Sequence, residues 1–235
     1  MPDTPAAALS ERLLEVRRQI DRACHGAGRR GAEVTLVVVT KAAPPGIFSA
    51  VAAAGVTDVG ESRVQAGLQR RARAPAGLRW HLVGSLQSNK VRAAVGTFNV
   101  LHGIDSIDLL ERVERVASEL SRHPLVYLQV NVSGEPGKHG LSPADLPAAL
   151  DAARALRCAR LAGLMTMAPA TDAPEAARST FATLRELRDR LAPATGLSMG
   201  MSDDFAVAVE EGSTCVRIGR RLVAALPELS LERAP

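Results

Sequence analysis

Lysine is scarce in this chain: of 29 basic residues, only Lys41, Lys90 and Lys138 are lysine and the rest are arginine. A neutral lysine amine can add to a carbonyl carbon, so the position of each lysine matters. Lys41 follows the apolar run Val34–Thr40 and shares its side-chain parity with Thr35, Val37 and Val39. It therefore points the same way as that row. At the end of such a strand, with apolar neighbours below it, its ammonium is expected to be partly desolvated, which favours the amine. Spacing alone gives more weight to a plainer reading, in which Lys41 leads into the loop Ala42-Ala43-Pro44-Pro45.

Two further segments offer groups for an anion. Gly200-Met201-Ser202 precedes Asp203-Asp204-Phe205, where a helix is expected to open. Unpaired N–H groups at a helix start attract phosphate. An equally good reading makes Ser202 the helix cap and the two aspartates complements of the helix dipole. The second segment is Arg217-Ile218-Gly219-Arg220. Gly219 permits close backbone approach, Arg220 adds charge, and an inward Arg217 needs a partner. Together the two segments resemble the two halves of a barrel phosphate cradle.

His25, His81, His102, His123 and His139 show no metal-ligand spacing. His81 and His102 fall near predicted strand ends and can line a pocket mouth, although a packed or hydrogen-bonded histidine is the more common outcome. Neither a Gly-x-Ser-x-Gly elbow nor a Walker loop occurs.

These candidates need elements to hold them. A helix from about Ala6 to Ala27 carries Leu9, Leu13, Val16 and Ile20 on one face. Strands are predicted at Val34–Thr40, Thr57–Gly60, Trp80–Val83, Asn99–His102, Leu125–Val132, Arg160–Thr166, Leu197–Met199 and Thr214–Ile218. Amphipathic stripes lie between them: Leu109, Val113, Val116 and Leu120 behind an N-cap Ser106; Leu146, Leu150, Ala153 and Leu156; Phe181, Leu184, Leu187 and Leu191. Alternating strands and helices without a linker predict one domain, an α/β (β/α)₈ TIM-type barrel over about residues 34–225 with an extra N-terminal helix over about 1–30. A doubly wound sheet is the alternative, but no Gly-x-Gly-x-x-Gly turn follows a strand.

Composition narrows the function. The chain is 46% hydrophobic and 23% charged, as globular domains are. The start, Met1 to Glu15, lacks a signal-like apolar segment, and no apolar run is long enough to span a membrane. Three scattered cysteines suit a reducing, cytoplasmic setting. A net charge of +4 with interleaved acids, and 3% aromatics, argue for a solvated arginine-rich surface over a nucleic-acid binder.

The chain resembles the pyridoxal phosphate homeostasis protein family, relatives of the alanine racemase barrel domain. The resemblance runs from about Thr35 to Gly219. It rests on Val38-Val39-Thr40-Lys41, Gly60-Glu61, Trp80-His81-Leu82-Val83-Gly84, Leu86-Gln87-Ser88-Asn89-Lys90 and His102-Gly103-Ile104-Asp105-Ser106. Further matches are Gln129-Val130-Asn131-Val132-Ser133, Lys138-His139-Gly140, Gly163-Leu164-Met165-Thr166-Met167, Ser198-Met199-Gly200-Met201-Ser202-Asp203-Asp204 and Val216-Arg217-Ile218-Gly219.

The resemblance implies a fold-type III barrel holding pyridoxal 5′-phosphate (PLP) as a Schiff base on Lys41. It also implies phosphate contacts from Ser202 and the Gly219–Arg220 backbone, with Arg217 facing the pyridine nitrogen. Ser62, His81, Met165 and Met201 complete the expected cofactor contacts. Ser62 stands where the family usually has asparagine, Arg220 where many members have threonine, and Leu222-Val223-Ala224-Ala225 replaces an aromatic-glycine ending. The implied role is a monomeric carrier or regulator of PLP supply, with apo PLP-dependent enzymes as recipients. A racemase would want a second base opposite the lysine, and the single tyrosine, Tyr127, is placed in a strand. The rival readings are a fold-type III PLP enzyme such as an amino-acid racemase, and a cofactor-free Schiff-base aldolase.

Overall fold

The computed structural model describes residues 4–41, 43, 46–135, 137–169, 173–224 and 226. Ala42, Pro44 and Pro45 of the expected loop, and Ala225 at the expected end of the barrel, lie outside the described residues.

Eight parallel strands close into a barrel in sequence order. They are β1 Thr35–Val39, β2 Asp58–Glu61, β3 Arg79–Leu82, β4 Val100–Ile104, β5 Leu125–Gln129, β6 Arg160–Met165, β7 Gly196–Ser198 and β8 Cys215–Ile218. The helices are α1 Pro5–Gly26, α2 Ile47–Ala53, α3 Val64–Arg71, α4 Val91–Thr97, α5 Ile107–Glu119, α6 Leu146–Arg154, α7 Arg178–Leu191, α8 Phe205–Glu210 and α9 Arg220–Val223. Closure comes from pairing β1 with β8, which sets Val37 opposite Arg217.

Strand alternation builds two cores. Outward side chains such as Leu36, Val38, Val59, Trp80, Leu82, Leu101 and Val216 pack under the helices. Inward Val37, Val39 and Cys215 form a separate interior cluster, against which Val83 and Tyr127 pack. Lys41, two residues beyond Val39, continues that inward row, as its parity requires.

The N-terminal helix has a definite job. Among the described residues, the last strand is followed by four helical residues, α9, too few to cover the barrel wall. Helix α1 buries Leu9, Leu13, Val16, Ile20 and Cys24, and packs on α2, α8 and α9. Arg12 ties it down through the Leu222 and Ala224 carbonyls, at 3.1 and 2.6 Å.

Some expected boundaries shift. The strand expected to reach Val132 ends at Gln129, and Val130 makes only a lone bridge to Leu141. Strand β4 runs two residues past His102, to Ile104. Ser106 caps α5 as expected, accepting from the Leu109 N–H at 3.2 Å. Ser202 does not cap α8: that helix starts at Phe205 behind Asp204 and has no side-chain cap. Instead Asp204 Oδ1 takes the Met201 N–H at 2.6 Å, which folds the β7–α8 loop back on itself.

Candidate functional site

A cavity of about 620 Å³ opens where the strands end, within the usual range for small-molecule sites. Lys41 and Val39 reach it from β1, Ser62 from the end of β2, and Val83 and Gly84 from beyond β3. Met167 comes from beyond β6, and Met201, Ser202 and Asp203 from the β7–α8 loop. Arg217, Gly219, Arg220 and Ala224 complete the wall. Seven of the expected contacts thus meet in one place: Lys41, Ser62, Met201, Ser202, Arg217, Gly219 and Arg220.

Two expected contacts do not reach it. His81 is 3% exposed and lies one inward position below Val83 on the same face. Met165 is 1% exposed and sits likewise one position below Met167, which lines the cavity in its stead. Lys41 also departs from expectation, because its side chain is exposed rather than partly shielded. It shares the cavity wall with the apolar groups Val39 and Val83.

The two halves of the expected anion cradle come together. Ser202 Oγ accepts from the Arg221 N–H at 3.4 Å, so the β7 loop touches the first turn of α9. Arg220 is paired with Asp203 across the rim. A Cβ at Gly219 would lie 3.1 Å from the Val39 carbonyl oxygen, which explains the glycine there.

Arg217 is the most unusual group at the site. It is 4% exposed, and no carboxylate lies within ion-pair distance of it among the described residues. Its Nη1 donates to Ser198 Oγ at 2.5 Å and its Nη2 to the Thr166 carbonyl at 3.1 Å. Burial lowers its pKa, but a guanidinium keeps its charge even so. A buried cation held only by neutral acceptors leaves positive charge for a ligand in the cavity.

Behind Arg217 a chain of side chains crosses the barrel interior. Ser198 Oγ meets His102 Nδ1 at 2.8 Å, His102 Nε2 meets His81 Nδ1 at 2.9 Å, and His81 Nε2 meets Asp58 Oδ1 at 2.8 Å. Arg79 holds the same carboxylate at 2.6 Å from the far end. The termini fix every proton. Burial pushes the Asp58 pKa up, but bonds from His81, Arg79 and Thr57 outweigh it and hold the carboxyl well below the usual range. Asp58 therefore only accepts, and His81 Nε2 must donate. Burial lowers the pKa of His81, against the pull of Asp58. Burial, with His81 and Arg217 nearby, lowers that of His102 further. Both rings are neutral, so His102 Nε2 donates to His81, and the Ser198 hydroxyl donates to His102 while accepting from Arg217.

Tyr127 stacks on His102 with ring centroids 4.7 Å apart, inside the barrel and away from the cavity. Burial raises its pKa, and raises that of Cys215 to about 11. All three cysteines are free, and no metal-binding cluster exists among the described residues. No helix there is long and apolar enough to cross a membrane.

Comparison with known proteins places this architecture. The family model "Alanine racemase, N-terminal domain" matches residues 13–227. A pyridoxal phosphate homeostasis protein of Pseudomonas aeruginosa is 40% identical over 93% of this chain and 96% of its own length. PipY of Synechococcus elongatus PCC7942, solved with PLP bound, superposes with a TM-score of 0.79 at 37% identity, covering 92% of this chain and 100% of that one. The alanine racemase of Clostridium difficile 630 shares the fold alone: its TM-score is 0.68 at 14% identity, and 58% of its length is covered.

Proposed function

Since the chain belongs to the pyridoxal phosphate homeostasis protein family, we propose that its cavity holds PLP and that the protein carries or regulates PLP supply. The observation that carries this reading is Arg217, a buried guanidinium with no carboxylate in ion-pair distance among the described residues, in one cavity with an exposed lysine. The residues fit the cofactor. Lys41 supplies the amine for a Schiff base with the aldehyde. Ser202 and the Gly219–Arg220 backbone supply donors for the phosphate. Arg217 donates to the pyridine nitrogen, and Ser62, Met167 and Met201 border the ring. Bound there, PLP would supply a reactive aldehyde and an electron-withdrawing ring. Because an arginine does not give up a full proton to the ring nitrogen, that ring is a weaker electron sink than one paired with aspartate.

The cavity walls favour carriage over catalysis. Among the described lining residues, Lys41 is the one amine and Asp203 the one carboxylate, and Asp203 is paired with Arg220. Efficient racemisation wants a base on each face of the substrate, and the one tyrosine stacks on His102 and does not line the cavity. In this reading the holder works in the cytoplasm and passes PLP to apo PLP-dependent enzymes. Among the described residues the exposed large apolar side chains are Met167 and Met201, which line the cavity, and Leu14 and Leu68, which form no patch that requires a second copy, so the reading includes a monomer. The test is to incubate PLP-loaded protein with amino acids and, separately, with an apo-transaminase. Reactivation of the transaminase without amino-acid turnover supports the reading. Racemisation or decarboxylation at about 1 per second or faster overturns it in favour of an enzyme.

A further inference from the structure

Lys41 stands at a corner that the rest of the barrel grips from outside. The Ala43 N–H bonds the Thr40 carbonyl at 2.8 Å, which closes a turn with Lys41 as its first corner residue. Arg70, in the last turn of α3, reaches over the end of β2 to both ends of that turn. Its Nη1 donates to the Thr40 carbonyl at 2.7 Å and its Nη2 to the Ala43 carbonyl at 3.3 Å. Glu61 completes the grip: it is 1% exposed, accepts from the Thr40 hydroxyl at 2.5 Å and lies 3.5 Å from Arg70 Nη1. The Thr40 N–H is bonded as well, to the Gly60 carbonyl at 2.9 Å. Every polar group of Thr40 is thus held, and the carbonyls on both sides of Lys41 are taken by one guanidinium.

Neither Arg70 nor Glu61 lines the cavity. Glu61 has the parity of Val59, which faces the helix layer, so the clamp sits outside the barrel wall while Lys41 faces in. Its neighbour Ser62 does line the cavity. One buried carboxylate therefore ties the end of β1, which carries the lysine, to the end of β2, which borders the ligand.

We propose that Arg70 and Glu61 are positioning residues for Lys41, setting where its amine sits relative to a carbonyl in the cavity. The proposal rests on the reading of Lys41 as the Schiff-base residue. A lysine Nζ lies about 6 Å from its Cα, so tilting the backbone by about 30° moves the amine about 3 Å. Displacements of about 1 Å can cost a reacting pair on the order of a hundredfold in rate. The clamp fixes that tilt. An anchor that holds only the fold would affect all ligands alike, whereas this one acts on the amine and leaves the phosphate and ring contacts in place.

The experiment compares two ligands in wild type, Arg70→Lys and Glu61→Gln. PLP reports on amine attack through the rate at which the Schiff-base absorbance appears. Pyridoxine 5′-phosphate, in which the aldehyde is an alcohol, reports on ring and phosphate binding alone. A lysine at 70 keeps the charge facing Glu61 but cannot bridge two carbonyls. The expected result is Schiff-base formation slowed about tenfold or more in Arg70→Lys, with affinity for pyridoxine 5′-phosphate within about twofold of wild type. Glu61→Gln keeps an acceptor for Thr40 and removes the charge that anchors Arg70. It should slow the reaction by a smaller factor, and it decides the matter alone if Arg70→Lys does not fold. Unchanged rates overturn the proposal, and so does a loss of both ligands in proportion. Absence of any Schiff base on Lys41 in wild type is a separate result: it removes the reading of Lys41 before the variants are compared.

Discussion

Replacing Ser198 by alanine should destabilise the protein by about 3 kcal/mol. The serine hydroxyl joins two buried groups that have nowhere else to turn: Arg217 Nη1 at 2.5 Å and His102 Nδ1 at 2.8 Å. Losing a hydrogen bond to a charged group costs about 1.5–3 kcal/mol and losing a neutral one about 1 kcal/mol, since the abandoned partners stay buried. His102 and Arg217 are 0% and 4% exposed, so water cannot simply replace the hydroxyl. For a chain of this size about 3 kcal/mol lowers Tm by roughly 6–12 °C. The assay is urea or thermal unfolding of ligand-free Ser198→Ala beside Ser202→Ala. The second serine makes only a 3.4 Å contact to a backbone N–H, so its loss should cost less than about 0.5 kcal/mol. Equal stability of the two variants would refute the claim that the chain from Asp58 to Arg217 holds the guanidinium.

Ser202→Ala should instead weaken PLP binding, by about 1–3 kcal/mol in equilibrium titration, and unchanged affinity would remove Ser202 from the phosphate site. Arg217→Ala should change the visible spectrum of the bound cofactor more than Ser202→Ala does, because the proposed site sets Arg217 at the ring nitrogen and Ser202 at the phosphate. Stability should fall as pH drops below about 6.5: His81 and His102 have lowered native pKa values, so the unfolded chain takes up protons that the native chain refuses, and each histidine contributes up to about 1.4 kcal/mol per pH unit. It should fall again above about pH 9, where unfolded Cys215 ionises and native Cys215, with its pKa raised to about 11, does not. Denaturant midpoints from pH 5 to 10 check both arms, and a flat profile contradicts the buried neutral network. Gly200→Ala should disrupt the β7–α8 loop, since Gly200 has φ +96° and its Cβ would lie 2.7 Å from that of Ala208. Loss of PLP affinity together with a lower Tm is the expected signature.

Most of the barrel was legible in the sequence because each strand is a short apolar run between helical stripes. The short strands β2 and β7 were the hardest to read, because three or four residues carry little pattern of their own. Ends were less legible: β5 stops at Gln129 because Val130 finds only a lone bridge to Leu141, a tertiary contact that no local pattern announces. At the site, parity set Lys41 in the row of Val37 and Val39, and it lines the cavity together with Val39. His81 and Met165 were named through the resemblance, and the cavity is lined by Val83 and Met167 on those two segments. The network behind Arg217 was hidden for another reason. Asp58, His81, His102, Ser198 and Arg217 come from five strands, and the separations between them carry no period. Only the resemblance had drawn attention to Gly60-Glu61, and nothing in the sequence connected Glu61 with Arg70 and Thr40.

The central claim is that Lys41 holds PLP at the mouth of the barrel, and the most direct measurement locates the covalent bond. The protein is mixed with PLP, reduced with borohydride and digested, and the pyridoxyl-bearing peptide is identified by mass spectrometry. The account predicts the adduct on Lys41, with loss of the visible absorbance in Lys41→Ala. An adduct confined to Lys90 or Lys138, or none on any lysine, would contradict it.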